Sequence, residues 1–186
     1  MYESLLDRAE QGATVVAANR RLSRTLKHRY DAEQIAAGRG AWPAPDILSW
    51  QDWLRRLWDA LRLSGNAAAG LRLMSETETA VLWHQAVAGV SDLPAARSEA
   101  ARRMLDAWEL VSEWNAGAAP EWTTAGLSPD QQTFLRCAGR YRDLCKERGL
   151  IDGAQLPTRL ASAIGAGSLE NLNAIIFAGF DSWTAG

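Results

Sequence analysis

The chain has 186 residues, of which 47% are hydrophobic, and a formal net charge of −2. This length allows one ordinary domain, or one domain plus a helical subdomain, and the apolar fraction argues against global disorder. No apolar run reaches the roughly 18 residues of a membrane span, and the first residues lack the basic start and apolar core of a signal peptide. We therefore expect a cytoplasmic protein with no membrane partner.

Helical and strand-like patterns alternate in the first third of the chain. A short helix over residues 2–11 leads into the continuous apolar run 13–18, which is typical of a buried parallel strand. Residues 46–48 predict a short strand, and Ser49 is expected to cap the helix that follows. Between the strands, residues 20–37 predict a helix whose core-facing residues are Leu22, Leu26, Tyr30 and Ile35.

The middle of the chain predicts four helices that begin at recognisable capping residues. Two of them open with capping boxes, in which Glu78 or Gln131 returns a hydrogen bond to the capping serine. The four starting positions are Ser75, Ser98, Ser128 and Asp152.

A second apolar run, residues 174–180, predicts a final parallel strand that is also buried. The order of elements predicts a helix-rich α/β fold with a small parallel sheet and an inserted helical subdomain. Residues 1–62 would form the first part of the α/β domain, residues 63–168 the helical insertion, and residues 169–186 the strand that returns to the sheet.

The sequence lacks the motifs of nucleotide binding and nucleophilic catalysis. A Walker A loop needs a glycine-rich turn followed by Gly-Lys-Ser/Thr, and neither lysine, Lys27 or Lys146, has that context. GxGxxG and GxSxG are also absent, and Cys137 and Cys145 lie about 12 Å apart on one predicted helix without a nearby histidine. We therefore expect no catalytic residue, no metal and no cofactor in this segment.

One carboxylate keeps an enzymatic alternative open. Asp181 follows the final strand, at the end of the sheet where α/β folds place functional groups. It could position a metal or a water in a small metal-dependent nuclease, and the simpler interpretation is a turn or cap aspartate.

The best polar candidate follows the first strand and opens the next helix. Free N–H groups, the helix dipole and several cations would face one site there, which suits a phosphate backbone. Trp42 or Trp50 could add base stacking on single-stranded DNA. The alternative is a solvated basic face, and a GC-rich genome would also explain why 18 of the 20 basic residues are arginine. The predicted nucleic-acid-binding residues are Asn19, Arg20, Arg21, Arg24 and Lys27.

Several segments carry a resemblance to a known family. They are TVVAANRRLSRTL from Thr14, WPAPDILSWQDWL from Trp42, FLRCAGRYRDLCKERGLID from Phe134 and IIFAGFDSWT from Ile175. In this order they resemble proteobacterial DNA-repair proteins related to the B subunit of the ATP-dependent helicase/deoxyribonuclease (AddB-type, RecB-like). The likeness covers nearly the whole chain.

The resemblance implies a P-loop-type, superfamily 1 helicase-like domain at the start of a longer protein that ends in a PD-(D/E)XK nuclease domain. Against an active helicase, the Walker A loop is absent and Ala178 occupies the place of the Walker B acid. The resemblance therefore implies a segment that does not hydrolyse ATP, within a parent protein that is a DNA exonuclease.

From these observations we expect a non-catalytic, helicase-like N-terminal module of a DNA-repair helicase/exonuclease-type protein, which contributes scaffold and DNA contact. The expected partners are DNA, single-stranded DNA included, the remainder of its own polypeptide, and a helicase subunit. The alternative is a protein-interaction scaffold that does not bind DNA, in which Trp50, Trp53 and Trp58 pack on another subunit.

Overall fold

The structure is a computed structural model that describes residues 3–65, 70–90, 97–114, 126–169 and 174–181. The fold is α/β and rich in helix, with small parallel sheets. Of the predicted final segment, residues 170–173 and 182–186 lie outside the described residues. The helices are α1 (Glu3–Glu10), α2 (Arg20–Ala36), α3 (Trp50–Leu63), α4 (Glu76–Ala88), α5 (Arg97–Trp114), α6 (Pro129–Glu147) and α7 (Leu156–Gly165), and the strands are β1 (Thr14–Ala17), β2 (Ile47–Ser49), β3 (Arg72–Leu73), β4 (Leu150–Ile151) and β5 (Ile175–Ala178).

The chain divides into two compact units, which are described separately. Unit 1 consists of Met1–Leu61 and Gly167–Trp183, and unit 2 of Arg62–Ala166 and Thr184–Gly186. Among the described residues, no helix has the length and apolar character needed to cross a membrane.

Unit 1 is built on a three-stranded parallel sheet in the order β2-β1-β5. The central strand, β1, is buried at every position, which explains its uninterrupted apolar run. In register, Val16 lies between Leu48 and Phe177, and Ala17 lies beside Ala178. Because side chains alternate along a strand, these two rows face opposite sides of the sheet.

Helices cover both faces of this sheet. On one face, α1 and α2 contribute Leu6 and Tyr30 to a core that includes Ala17. On the other face, α3 contributes Trp53, whose ring packs edge-on against Phe177 with 5.8 Å between ring centroids. Unit 1 therefore has three layers, with the sheet between helices.

A hydrogen-bonded carboxylate ties the amino ends of β1 and β2 to α3. Asp46 accepts a bond of 2.6 Å from the Thr14 hydroxyl, and Arg56 donates to both of its oxygens at 2.7 and 2.6 Å. The Arg56 guanidinium is the main reason that the pKa of Asp46 is lowered, although partial burial opposes the shift. These hydrogen bonds hold β1, β2 and α3 together at the amino end of the sheet.

Two expectations about burial in unit 1 are wrong. The sequence predicts Ile35 in the core, but its side chain is 65% exposed and Gln34 is buried instead. Gln34 lies four residues after Tyr30, so it continues the buried face of the helix. The final strand is parallel, as predicted, but it is only partly buried: Phe177 is 40% exposed, because β5 is an outer strand of the described sheet.

Unit 2 packs α4, α5 and α6 around one core. Both predicted capping boxes are confirmed: Ser75 and Glu78 cap each other's backbone at the start of α4, and Ser128 and Gln131 do so at the start of α6. The sequence does not predict the short parallel pair of β3 with β4, which joins distant parts of this unit.

Three aromatic rings form the centre of unit 2, and we call them the inner ring cluster: Trp83, Trp108 and Tyr141. Trp83 and Tyr141 stack with centroids 4.3 Å apart, and Trp108 lies 6.0 and 5.7 Å from them. Asp152, which is 1% exposed, accepts hydrogen bonds from the Trp108 indole at 2.8 Å and the Tyr141 hydroxyl at 2.6 Å. It also accepts from the Gln155 backbone N–H at 2.9 Å. The prediction that Asp152 caps the last helix is wrong, because α7 begins at Leu156 with Gln155 at its N-cap and has no side-chain capping bond.

Burial determines the ionisation of the side chains around this cluster. Cys137 and Cys145 are free, buried thiols. Burial raises the pKa of Cys137 and raises the pKa of Cys145 to about 11. Burial, together with the neighbouring Asp152 carboxylate, also raises the pKa of Tyr141. These groups therefore stay protonated at neutral pH.

Candidate nucleic-acid interface

The carboxyl ends of β1, β2 and β5 lie at one edge of the unit 1 sheet, because all three strands are parallel. From this carboxyl edge the chain enters α2 after β1, enters α3 after β2, and continues through residues 179–181 after β5. In open α/β sheets, ligands bind outside this end of the strands. The predicted basic residues begin here.

Asn19 organises the start of α2. Its backbone is extended, and its side-chain oxygen accepts a bond of 2.9 Å from the Leu22 N–H. This is the geometry of a helix N-cap. The first turn of α2 contains no acidic residue, so the positive end of the helix dipole acts in the same sense as the arginines that follow.

The positive charges on α2 differ in how far they are already compensated. The Arg20 guanidinium lies 3.6 Å from an Asp52 oxygen, and both side chains are about half exposed. Surface pairs of this kind contribute only about 0–1 kcal/mol. Arg21 and Arg24 are exposed and have no ion-pair partner among the described residues. They are the most available cations of the predicted set.

The other basic side chains of this segment have acidic neighbours. Lys27 is exposed, and its charge helps to lower the pKa of Asp46. Arg29 pairs with Glu33 on the same helix at 3.2 Å, and Arg39 pairs with Glu10. The uncompensated charge is therefore concentrated at the start of α2, next to the carboxyl edge.

Four aromatic rings also meet at this edge, and we call them the edge ring cluster: Trp50, Trp53, Phe177 and Phe180. The Trp50 ring lies 5.3 Å from Trp53, 6.4 Å from Phe177 and 5.9 Å from Phe180, between centroids. Trp50 follows β2 and Phe180 follows β5, so their contact spans the carboxyl end of β1. Ring pairs at these distances contribute about 0.5–1.5 kcal/mol each beyond the burial of their area.

A glycine brings the edge ring cluster against the first turn of α2. Gly179 has a φ of +74°, and a Cβ added to it would collide with the Leu22 side chain. Phe180 is the next residue, so its position is fixed beside α2. The Arg20–Asp52 ion pair makes a second connection, because Asp52 lies in the first turn of α3. These two contacts place the first turn of α2, with Arg20, next to the edge ring cluster.

Trp42, the other tryptophan considered for base stacking, lies elsewhere. Its indole N–H donates to Asp31 at 2.9 Å, and its ring packs against the core formed by α1 and α2. Asp181 is exposed immediately after Phe180. Among the described residues, no group of three or more His, Cys, Asp or Glu side chains could hold a metal ion.

Three neighbours of the predicted residues are not identified by the sequence pattern: Asp52, Phe177 and Phe180. The sequence feature that could have pointed to them is the parallel direction of the strands, since residues that follow parallel strands lie at the same edge of the sheet. The sequence alone does not show which of those side chains meet, because that depends on the order of the strands and on the close approach of Gly179 to α2.

Comparison with known protein families finds no family that matches this chain, and comparison with curated proteins finds no match either. The functional inference therefore depends on the residues of the carboxyl edge and on the segments that carry the sequence resemblance.

Proposed function

We propose that this chain is a non-catalytic, helicase-like module of a DNA-repair helicase/exonuclease-type protein, and that it contacts DNA through the carboxyl edge of unit 1. The observation that carries the DNA contact is the exposed, uncompensated pair Arg21 and Arg24, next to the capped start of α2. The helicase-like assignment is supported by the sequence resemblance, and the parallel sheet is compatible with it.

The chemistry of this surface suits a phosphate backbone. Arginine presents a planar fork of donors that can bind two phosphate oxygens at once, and the start of a helix attracts anions. Arg20 adds a third guanidinium when a phosphate replaces Asp52 as its partner. Such contacts position a protein on DNA without reading its sequence.

A role in contact and scaffold is favoured over ATP hydrolysis. β1 is followed by Ala18, Asn19 and Arg20, where a P-loop enzyme carries a glycine-rich loop with a lysine. Ala178 ends β5, where the resemblance predicts the Walker B acid of an active helicase.

DNA contact is also favoured over a scaffold that binds only protein. That alternative needs Trp50, Trp53 and Trp58 to reach a partner, but Trp53 is 8% exposed and Trp58 is 1% exposed. Of these three rings only Trp50 is partly exposed, whereas the basic positions 20, 21 and 24 all lie at the surface.

Charge reversal tests the proposal. The variant Arg20→Glu/Arg21→Glu/Arg24→Glu should bind a fluorescent oligonucleotide more weakly than the wild-type chain, as measured by anisotropy over a series of salt concentrations. For every phosphate that the variant no longer neutralises, the slope of log affinity against log salt should also fall by about 0.7 for single strands and about 0.9 for duplex.

A matched control distinguishes a local contact from net charge. Arg136, Arg142 and Lys146 are exposed on α6, so reversing all three changes the net charge of the chain by the same amount. This control should keep most of the wild-type affinity. Unchanged affinity in the α2 variant, or equal losses in both variants, would contradict the proposed interface.

A further inference from the structure

We infer that Asp52 competes with the DNA backbone for Arg20: its carboxylate pairs with the Arg20 guanidinium in the free chain, and a phosphate displaces it. This inference rests on the proposed function and adds how the affinity of that interface is limited. Arg20 is then the adjustable cation of the interface, beside Arg21 and Arg24, which have no ion-pair partner among the described residues.

The first argument is the position of the carboxylate. The first turn of α2 contains no acidic residue, so the negative charge that faces Arg20 comes from the first turn of another helix, α3. The Asp52 Oδ1 atom lies 3.6 Å from a guanidinium nitrogen of Arg20. Because a carboxylate and a phosphate both offer a guanidinium anionic oxygens, the two compete for the same side chain.

The second argument is how the carboxylate is held. Ser49, the last residue of β2, is fully buried, and its hydroxyl donates to Asp52 Oδ2 at 2.6 Å. The Asp52 backbone N–H in turn donates to the Ser49 hydroxyl at 3.3 Å. One carboxylate oxygen is thus fixed to the end of the sheet while the other faces Arg20. Since Ser49 positions the carboxylate, its negative charge stays beside the interface after Arg20 has turned to a phosphate.

The third argument is the weakness of the ion pair. The Arg20 side chain is 58% exposed and that of Asp52 is 42% exposed. Their separation of 3.6 Å is longer than a hydrogen bond, so the contact is a charge pair in water. Such a pair is screened by salt and contributes little. A phosphate can therefore displace Asp52, which lowers the affinity of the interface without preventing the contact.

Asp52→Asn is the informative variant, since asparagine keeps the shape of the side chain and an oxygen that can accept from Ser49. It should bind the fluorescent oligonucleotide up to about 5-fold more tightly than the wild-type chain at low salt, which is the upper value of a surface ion pair. The slope of log affinity against log salt should become steeper by up to about 0.7 for single strands, because Arg20 then neutralises a phosphate. Anisotropy measures both quantities.

Two further variants show whether Asp52 acts through Arg20. Asp59→Asn removes the same charge from an exposed position about two turns further along α3, and it should bind like the wild-type chain. In an Arg20→Ala background, Asp52→Asn should change nothing, because the cation that it releases is absent. Urea unfolding checks that the start of α3 is intact in the Asp52 variant.

The outcomes separate this inference from the proposed function. If charge reversal on α2 has no effect, both fail. If charge reversal weakens binding but Asp52→Asn leaves the affinity unchanged, DNA contact stands and the competition is overturned. A loss of affinity in Asp52→Asn also overturns it, because Asp52 would then hold Arg20 in place for the phosphate. A gain that persists without Arg20, or that Asp59→Asn reproduces, contradicts it as well, since general charge would then explain the gain.

Discussion

The two units each contain an aromatic cluster, and the clusters differ in what holds them. In the inner ring cluster, two of the three rings donate hydrogen bonds to one buried carboxylate, Asp152. In the edge ring cluster, two of the four members are phenylalanines, whose side chains have no polar atom, and one of these is 40% exposed. The comparison shows that aromatic content alone does not distinguish a buried ring cluster from a partly exposed one. Polar anchoring and burial make that distinction.

The largest effect is expected at the anchor of the inner ring cluster. Asp152→Ala would leave the Trp108 indole N–H and the Tyr141 hydroxyl buried without their acceptor, which should lower the free energy of unfolding by about 4 kcal/mol. Urea unfolding measures this loss. Asp143→Ala, at an exposed position of α6, is the control and should change stability by less than about 0.5 kcal/mol. Similar values for both variants would show that Asp152 does not anchor the rings.

A smaller effect is expected when one donor is removed and the carboxylate is kept. Tyr141→Phe retains the stacked ring and loses the 2.6 Å bond to Asp152. A hydrogen bond to a charged group of this kind is worth about 2 kcal/mol. The same unfolding measurement tests it, and an unchanged midpoint would mean that packing alone fixes the cluster.

In unit 1, Gly179 tests how much the close approach of β5 to α2 contributes to stability. Gly179→Ala should destabilise the chain by about 1.5 kcal/mol, because alanine is strained at a φ of +74° and its Cβ would displace Leu22. Gly167→Ala is the matched control: its φ is +70°, but nothing lies within 4 Å of the added Cβ. If both variants lost the same stability, the close approach of β5 to α2 would contribute nothing.

Removing the exposed ring of the edge ring cluster should have a modest effect on stability. Phe177→Ala is expected to cost about 1 kcal/mol, since the side chain is only partly buried, whereas a fully buried phenylalanine costs about 3–5 kcal/mol. A loss of about 3–5 kcal/mol would show that Phe177 behaves as a core residue, and the two ring clusters would then not differ in burial.

The smallest effect is expected in alkali. The Cys145 pKa rises from an ordinary 9.0 to about 11 in the folded chain, so the unfolded chain releases its proton first as the pH increases. The contribution of the protonated Cys145 thiol to the free energy of unfolding is fully present below pH 9 and is lost as the pH rises to about 11. At about pH 9.5 the free energy of unfolding has fallen by about 0.8 kcal/mol. Cys145→Ala should show less decline between neutral pH and pH 9.5. An identical decline in both chains would assign it to other groups.

The local features of the fold could be predicted from the sequence. Strand β1, the helix α2 that follows it and the capping boxes at Ser75 and Ser128 depend on residues within a few positions of one another. Their hydrogen bonds are therefore encoded in short segments, and the predicted starts of α4 and α6 match the structure closely.

Contacts between distant residues could not be predicted in the same way. Asp152 is expected as a helix cap, but Gln155 is the N-cap of α7. Asp152 instead accepts a hydrogen bond from Trp108, which lies 44 residues away in sequence. The pair of Arg20 with Asp52 likewise depends on the order of the strands. The candidate site shows the same limit: the cations can be identified from the sequence, while their ring neighbours depend on tertiary packing.

The strand order also has a consequence for synthesis. Thr14 pairs with Ile175, about 160 residues later, so one side of β1 has no partner until the ribosome has made β5. At the usual 5–20 residues per second, this interval lasts about 10–30 s. All of Arg62–Ala166 emerges during that time, and its own core can form first. The sheet of unit 1 is therefore completed only after β5 has been made, and until then the nascent chain exposes an apolar strand that chaperones can bind.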